Sequence, residues 1–263
     1  MKKRVIVKIG GSFITDKNQS ESLKEDLVRK IAREIVEVVK TGKVSLILAH
    51  GAGSYGHIAA KKYEAQSGQH PQFGWEAFYQ IRQDMTRMNL LLLQLFAEEG
   101  LFPITIQPSA IAMAHKGKLH FMDTKNIRFL LEADQIPLIH GDIVLDEKQG
   151  FTIASTEDQI QKLSEYIFFH RIVLISDVPG VLDGEGNVIP VINHRNFSQI
   201  IDQLGGSAGL DVTGGMQSKV EQIYQLIQKN PATHAHIVSG DSETGLIAEI
   251  ILEKASTGTI ICY

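Results

Sequence analysis

One cysteine, Cys262, stands alone among 263 residues, so no internal disulfide can form and a reducing, cytoplasmic compartment is expected. A basic field is missing too. The 26 Lys and Arg residues are outnumbered by 30 Asp and Glu, the formal charge is −4, and the cations are scattered, which argues against a nucleic-acid partner. No apolar run reaches membrane-span length: the most apolar stretch, 90–96, falls far short of the roughly 20 residues a span requires. Met1-Lys2-Lys3-Arg4 begins as an export signal does, but Lys8 and Gly10-Gly11 interrupt the apolar stretch behind it and no cleavage pattern appears, so no leader is expected. The Walker sequence G-x-x-x-x-G-K-[ST] is absent, as are a Pro/Ser-rich linker, a low-complexity tract and an internal repeat. A single domain over 1–263 is the expectation.

What is present is a 43% hydrophobic chain that alternates strand-like and helix-like patterns. Val5-Ile6-Val7-Lys8-Ile9 reads as a buried strand running into Gly10-Gly11-Ser12. Ser22-Leu23-Lys24-Glu25 has capping-box spacing and predicts a helix carrying Leu27, Ile31, Ile35 and Val39 as far as Gly42. A second strand over 44–49 enters His50-Gly51-Ala52-Gly53-Ser54-Tyr55-Gly56-His57. A long helix is predicted over 75–99, with Phe78, Ile81, Met85, Leu92 and Phe96 on its core face. Further strands are predicted near 104–107, 137–140, 171–176, 235–238 and 259–261, with helices over 125–133, 158–168 and 245–250 and one opening near Met216. Hairpins should turn at Lys116-Gly117-Lys118 and over 147–150, giving a mixed sheet, while Gly205-Gly206-Ser207-Ala208-Gly209 reads as a loop. The class is α/β: a three-layer αβα sandwich on a central, mostly parallel sheet with hairpin excursions.

Three glycine-rich turns border regular elements: Gly10-Gly11-Ser12, 51–56 and Thr213-Gly214-Gly215. Glycine lets backbone N–H groups approach an anion, and a helix N-terminus adds a favourable dipole. One such turn is commonly structural; three, accompanied by Lys8, Lys17 and Lys219, point to phosphate. Lys8 interrupts an apolar strand just before a glycine turn, where a solvated-face role is a poor explanation, and Lys219 lies one turn into a helix with its side chain leaning back to the N-terminus. Gly51, Gly53 and Gly56 also satisfy G-x-G-x-x-G, but the dinucleotide fold needs a second strand ending in an acidic residue about twenty positions later. A Lys-rich and then helical stretch stands there instead. His57 can donate to a phosphate oxygen, and Asp142, Asp158 and Asp177 stand at strand ends or helix starts, where they can orient lysines or hold Mg²⁺.

Taken together, Lys8-Ile9-Gly10-Gly11-Ser12, Thr15-Asp16-Lys17, 50–57 with Ala60-Lys61-Lys62-Tyr63, Ile106-Gln107-Pro108-Ser109, His140-Gly141-Asp142-Ile143-Val144 and 211–216 with Lys219 run nearly end to end. In these the chain resembles the isopentenyl phosphate kinases of the amino-acid kinase superfamily; the Gly56-His57 pair is the most telling. The resemblance implies a cytoplasmic homodimer that uses ATP and Mg²⁺, with an acceptor lobe over about 1–170 and a nucleotide lobe over about 171–263. It implies ATP phosphates over Gly10-Gly11-Ser12 and Ala52-Gly53, with Lys8 and Lys219 neutralising the transferred group and Asp158 holding both lysines. It places Lys17 as a further phosphate contact, the acceptor phosphate at Gly51, Gly56, His57 and Thr156, and the nucleotide at Asp177, Gly180, Gly214 and Gly215. The acceptor's prenyl tail would lie against the helix near 78–85. Ala52 for a third glycine, Ser155-Thr156-Glu157-Asp158 for Ser-Gly-Asp-Asp, and Pro179 for Asp are departures from the family pattern. Alternatives stay open: a related kinase acting on another phosphate monoester or on a phosphonate such as fosfomycin, and a non-catalytic nucleotide-binding regulator.

Overall fold

β-Branched runs form the strands expected of them, and parallel pairing brings four of their C-terminal ends side by side. The structure, a computed structural model, describes residues 2–16, 19, 21–65, 68–69, 72–206 and 215–263. In the first half lie β1 (Lys3–Ile9), α1 (Gly11–Ile14), α2 (Glu25–Lys40), β2 (Val44–His50), α3 (Gly53–Lys62), α4 (Gly74–Glu98), β3 (Ile104–Thr105) and α5 (Pro108–Ile111). Next come β4 (Ala112–His115), β5 (Lys118–Met122), α6 (Lys125–Glu132), β6 (Pro137–His140), β7 (Asp142–Asp146), β8 (Gly150–Ala154) and α7 (Thr156–Leu163). The chain closes with β9 (Arg171–Ser176), β10 (Val191–Ile192), α8 (Phe197–Gly206), α9 (Gly215–Lys229), β11 (His234–Ser239), α10 (Leu246–Ile251) and β12 (Thr259–Ile261).

Eight strands make one sheet in the order β10-β12-β11-β9-β1-β2-β6-β3. Among the described residues only β11 and β12 pair antiparallel within it. Because successive side chains of a strand point to opposite faces, β1 sends Val5, Val7 and Ile9 to one core and Ile6 to the other. The first core packs under α2, α4 and α10 through Ile31, Ile35, Leu92 and Ile250; the second packs under α6 to α9 through Ile127, Ile160, Ile200 and Ile223. Three layers result, as expected.

The hairpins depart from expectation. They do not widen the main sheet; β5-β4-β7-β8 form a sheet of their own, with β4 and β7 joined in parallel. The main sheet's near edge is already taken by β3, which pairs with β6 through Ile104 and Thr105. Ser22 does not cap α2. Its hydroxyl accepts from Asp16 N at 2.9 Å and donates toward the Asp16 and Gln19 carbonyls, while Lys24 occupies the N-cap position. Of the loop expected over 205–209, Gly205 and Gly206 belong to the end of α8 and Ser207-Ala208-Gly209 lie outside the described residues; the helix expected over 158–168 spans Thr156–Leu163. A carboxylate on α2 supplies an unforeseen cap elsewhere: buried Glu34 accepts from Ile247 N at 2.8 Å and Ala248 N at 3.2 Å, holding the first turn of α10.

Candidate active site

The adjacent parallel strands β9, β1, β2 and β6 end at Ser176, Ile9, His50 and His140, so the segments after them meet along one edge of the sheet, the usual ligand edge of an open α/β protein. Gly10 is tied to the neighbouring strand, its N–H donating to the Ile175 carbonyl at 2.8 Å. The turns after β1 and β2 interlock. A Cβ on Gly11 would lie 2.2 Å from Gly53 N and 3.0 Å from the Gly51 carbonyl carbon, and Gly53 itself adopts φ +52°. Both positions therefore need glycine, one for close approach and one for backbone shape. Thr15, which the sequence places in a motif without a role of its own, fastens the pair: its hydroxyl donates to Gly11 O at 2.8 Å and accepts from Ser54 N at 3.0 Å, near the start of α3. Ala52 has φ −73°, an ordinary value, and its Cβ faces Gly56 and Gly141.

Lys8 is 8% exposed and donates to Glu157 Oε1. The two side chains keep only 10% and 12% of their exposure, so solvent screens the pair weakly. Burial pushes the Glu157 carboxyl up, but the Lys8 charge, the Lys8 hydrogen bond and the Lys219 charge outweigh it, and the group is held below the ordinary range. Lys8 of β1 is thus paired with a carboxylate at the start of α7 that also feels the charge of Lys219 from α9. That carboxylate is Glu157, where Asp158 was expected. Asp158 is the third residue of α7; its Oδ2 accepts from Ser155 N at 3.1 Å and its backbone N–H donates to Ser155 Oγ at 3.0 Å, a reciprocal capping box. Its Oδ1 accepts from Gln222 of α9 at 3.3 Å. Consecutive helix residues point about 100° apart, so only one of the two acids can face the strand ends.

The remaining candidates are distributed along the same edge. Ser12 is half-buried in α1, and His57 lies on the exposed side of α3. Gly56 is buried, with the Met85 side chain of α4 against it. The Thr156 hydroxyl donates to the His50 carbonyl at 3.0 Å, so its proton is committed to the protein. Asp177 follows β9, exposed, and accepts from Ser176 Oγ at 3.3 Å. Gly180 packs against Thr259, whose hydroxyl receives Val181 N–H at 2.8 Å. Gly215 opens α9, while Lys17 and Gly214 lie outside the described residues. Beside α3 an apolar cluster joins Ala59, Ala60, Ile81, Ile143 and Phe151, with Phe78 at its border.

Asp142, at the start of β7, is buried and receives the Gln107 amide. Burial raises its pKa to about 7, against the opposing pull of Ile143 N–H, Arg82 and Gln107. A carboxyl shifted upward on folding contributes stability that is complete below its ordinary value of 3.8 and is lost as pH rises through about 7. The loss is expected to reach roughly 2–4 kcal/mol by about pH 8. Asp142→Asn, neutral throughout, should flatten that decline in thermal melts taken across the range; an unchanged slope would contradict this assignment.

Residues 3–239 match the family model described as Amino acid kinase family. The chain is 35% identical to isopentenyl phosphate kinase of Methanocaldococcus jannaschii over 259 residues, covering 96% of each protein. It is 32% identical to isopentenyl phosphate kinase of Haloferax volcanii, covering 98% of each. A solved structure titled as isopentenyl phosphate kinase superposes with a TM-score of 0.81 at 26% identity, covering 98% of this chain and 99% of that one.

Proposed function

Because the chain belongs to the amino acid kinase family, among its isopentenyl phosphate kinases, we propose that it transfers the γ-phosphoryl group of ATP to isopentenyl phosphate, yielding ADP and isopentenyl diphosphate. The observation that carries this reading is the buried Lys8–Glu157 pair beside interlocked glycine turns at the sheet edge, with the charge of Lys219 also lowering the Glu157 carboxyl. Phosphoryl transfer asks for alignment and charge neutralisation more than for covalent help. The Lys8 ammonium, held by Glu157, and that of Lys219 would stabilise charge on the γ-phosphoryl, and backbone N–H groups at Gly11 and Gly53 suit the flanking oxygens. The acceptor phosphate monoester, with a second pKa of about 6, is largely ionised near neutral pH, so the attack needs no strong base. His57 would donate to the acceptor phosphate at Gly51 and Gly56, and the prenyl tail would enter between α3 and α4 beside Met85 and Phe78.

ATP would arrive as its magnesium complex, with phosphate oxygens supplying most of the ligands. Asp142 is unsuited to the metal, being buried, protonated up to about pH 7 and engaged by Gln107, and Asp158 is occupied in its capping box. The nucleotide side would be built by 171–263, around Asp177, Gly180, Gly214 and Gly215, and the acceptor side by 1–170, with Lys17 as a further phosphate contact. We also propose a cytoplasmic homodimer. Exposed Phe102 and Ile104, on and beside edge strand β3, are the kind of surface a second copy would cover. No described helix is long and apolar enough to cross a membrane.

A coupled ADP-release assay over isopentenyl, dimethylallyl and geranyl phosphates, fosfomycin and small carboxylates tests the assignment; isopentenyl phosphate should give the highest kcat/KM. Preference for a phosphonate or a carboxylate, or nucleotide binding without turnover, would overturn it. In the same assay His57→Ala should lower kcat/KM for the acceptor by about 10²-fold while the KM for ATP stays within about twofold. Equal losses for both substrates would remove His57 from the acceptor side.

A further inference from the structure

Beneath the acceptor turn, the last residues of β2 and β6, His50 and His140, lie opposite each other in parallel register and are fully buried. Their rings stack with centroids 5.1 Å apart and planes 16° from parallel. Each ring turns Nδ1 to the carbonyl of the glycine that follows it: Gly51 O at 3.0 Å from His50, and Gly141 O at 3.1 Å from His140. A carbonyl only accepts, so in both residues Nδ1 carries the proton and donates. Burial first, and then the neighbouring ring, lower the pKa of His140 to about 3; burial lowers that of His50 as well. The rings are therefore neutral at physiological pH, each with a lone pair on Nε2. Asn89 Oδ1 of α4 lies 3.2 Å from that atom of His50, and Asn89 Nδ2 lies 2.9 Å from the Thr105 hydroxyl; the Nδ1–H tautomer of His50 therefore requires the Asn89 amide turned over, its Nδ2 donating to Nε2 and its Oδ1 accepting from Thr105.

The main chain around the two histidines is held from other directions. The His50 carbonyl accepts from Gly141 N at 3.1 Å and from the Thr156 hydroxyl at 3.0 Å, and the His140 carbonyl accepts from Gln159 Nε2 at 2.7 Å. What the imidazoles set is the next peptide unit. A trans peptide directs its N–H opposite to its C=O, so a ring that holds the Gly51 carbonyl turns the Ala52 N–H away from itself. The Gly141 unit adjoins the same spot, since a Cβ on Gly141 would lie 3.6 Å from Ala52 N.

We infer that His50 and His140 are positioning residues for acceptor recognition: their Nδ1–H groups fix the Gly51 and Gly141 peptides, and hence the direction of the Ala52 N–H, which is offered to the acceptor phosphate and not, as the resemblance implies, to ATP, without either ring touching the phosphate. The inference rests on the placing of that phosphate at Gly51.

Side-chain isosteres separate this from a packing role. Asn carries its amide nitrogen where histidine carries Nδ1, and Gln carries it near Nε2. Both variants lose the ring stack and should lower Tm by similar amounts. His50→Gln is expected to reduce kcat/KM for the acceptor by about 10- to 100-fold with the KM for ATP within about twofold, whereas His50→Asn should retain activity to within about fivefold. His140→Gln and His140→Asn should fall in the same order. Equal activities for Asn and Gln at both positions, or a KM for ATP that moves with the acceptor's, would overturn the inference. Nitrogen-15 NMR of the unmodified enzyme should report the Nδ1–H tautomer for both rings, and an Nε2–H tautomer at His50 would sink it even if the variants fail to fold. Binding of inorganic phosphate by calorimetry should show the same Asn-over-Gln order. If that order holds while the parent enzyme ignores isopentenyl phosphate, the proposed substrate fails and the positioning pair stands; if turnover is normal but the order is absent, the pair fails alone.

Discussion

Glu157→Gln is expected to reduce kcat by about 10²- to 10³-fold, the range found when one preorganised electrostatic contact to a transition state is removed. The substitution keeps the size of the side chain and removes the charge that Lys8 and Lys219 share. Without it Lys8 loses its partner in a weakly screened space and the positive charge near it is uncompensated, so the ammonium is no longer held for the γ-phosphoryl. Lys8→Met should cost a similar factor. The double variant Lys8→Met/Glu157→Gln should fall well short of the product of the two, because both singles disable one unit. Asp158→Ala is the contrasting case: it breaks the capping box of α7, and about 1 kcal/mol of stability, or roughly 2–4 °C in Tm, should be lost while kcat stays within about threefold. Stopped-flow or steady-state rates alongside thermal melts decide between the two acids. A large rate defect in Asp158→Ala with a mild one in Glu157→Gln would return the lysine-holding role to Asp158.

Gly11→Ala should be more damaging still. The new Cβ would meet Gly53 N at 2.2 Å, Gly53 Cα at 2.7 Å and the Gly51 carbonyl carbon at 3.0 Å, all of them backbone atoms that cannot rotate aside as a flexible side chain can. Relief requires the turn after β1 and the start of α3 to separate, and that also strains the Thr15 bonds to Gly11 and Ser54. A loss of about 3 kcal/mol or more is expected, together with at least about 10³-fold in turnover, since phosphoryl groups displaced by an ångström are no longer in line. Chemical denaturation and the ADP-release assay measure the two losses separately. A Gly11→Ala enzyme with parental stability and rate would mean that the turns do not interlock as described.

Much of the architecture is readable from residue patterns because its strands are short, β-branched and punctuated by glycine. Lys8 stands out as a cation inside such a strand, and Lys219 as one a turn into a helix that opens on glycine. The Glu157 assignment fails at first reading for a local reason. The spacing S-x-x-[DE] occurs at Ser22 and again at Ser155, and only side-chain competition distinguishes them: the Ser22 hydroxyl is taken by the Asp16 and Gln19 backbone, whereas Ser155 and Asp158 bond reciprocally. Noticing the second occurrence would have marked Asp158 as a cap and left Glu157 to face the lysines. Thr15, His50 and His140 are visible in motifs, but their roles are not, because those depend on backbone groups brought close only by the parallel register of β1, β2 and β6. That the hairpins build a sheet of their own stems from which edge β3 occupies, a long-range fact that no local pattern records.

The place of β1 in the sheet bears on how the chain is made. It leaves the ribosome before either neighbour, yet it lies between β2 and β9, and Val5 faces Arg171. During synthesis one flank of this hydrophobic strand stays open until β9, Arg171–Ser176, has emerged. Pairing so distant in sequence is slow, so nascent chains should lean on chaperones, and stalled intermediates ending before residue 171 should bind them longest.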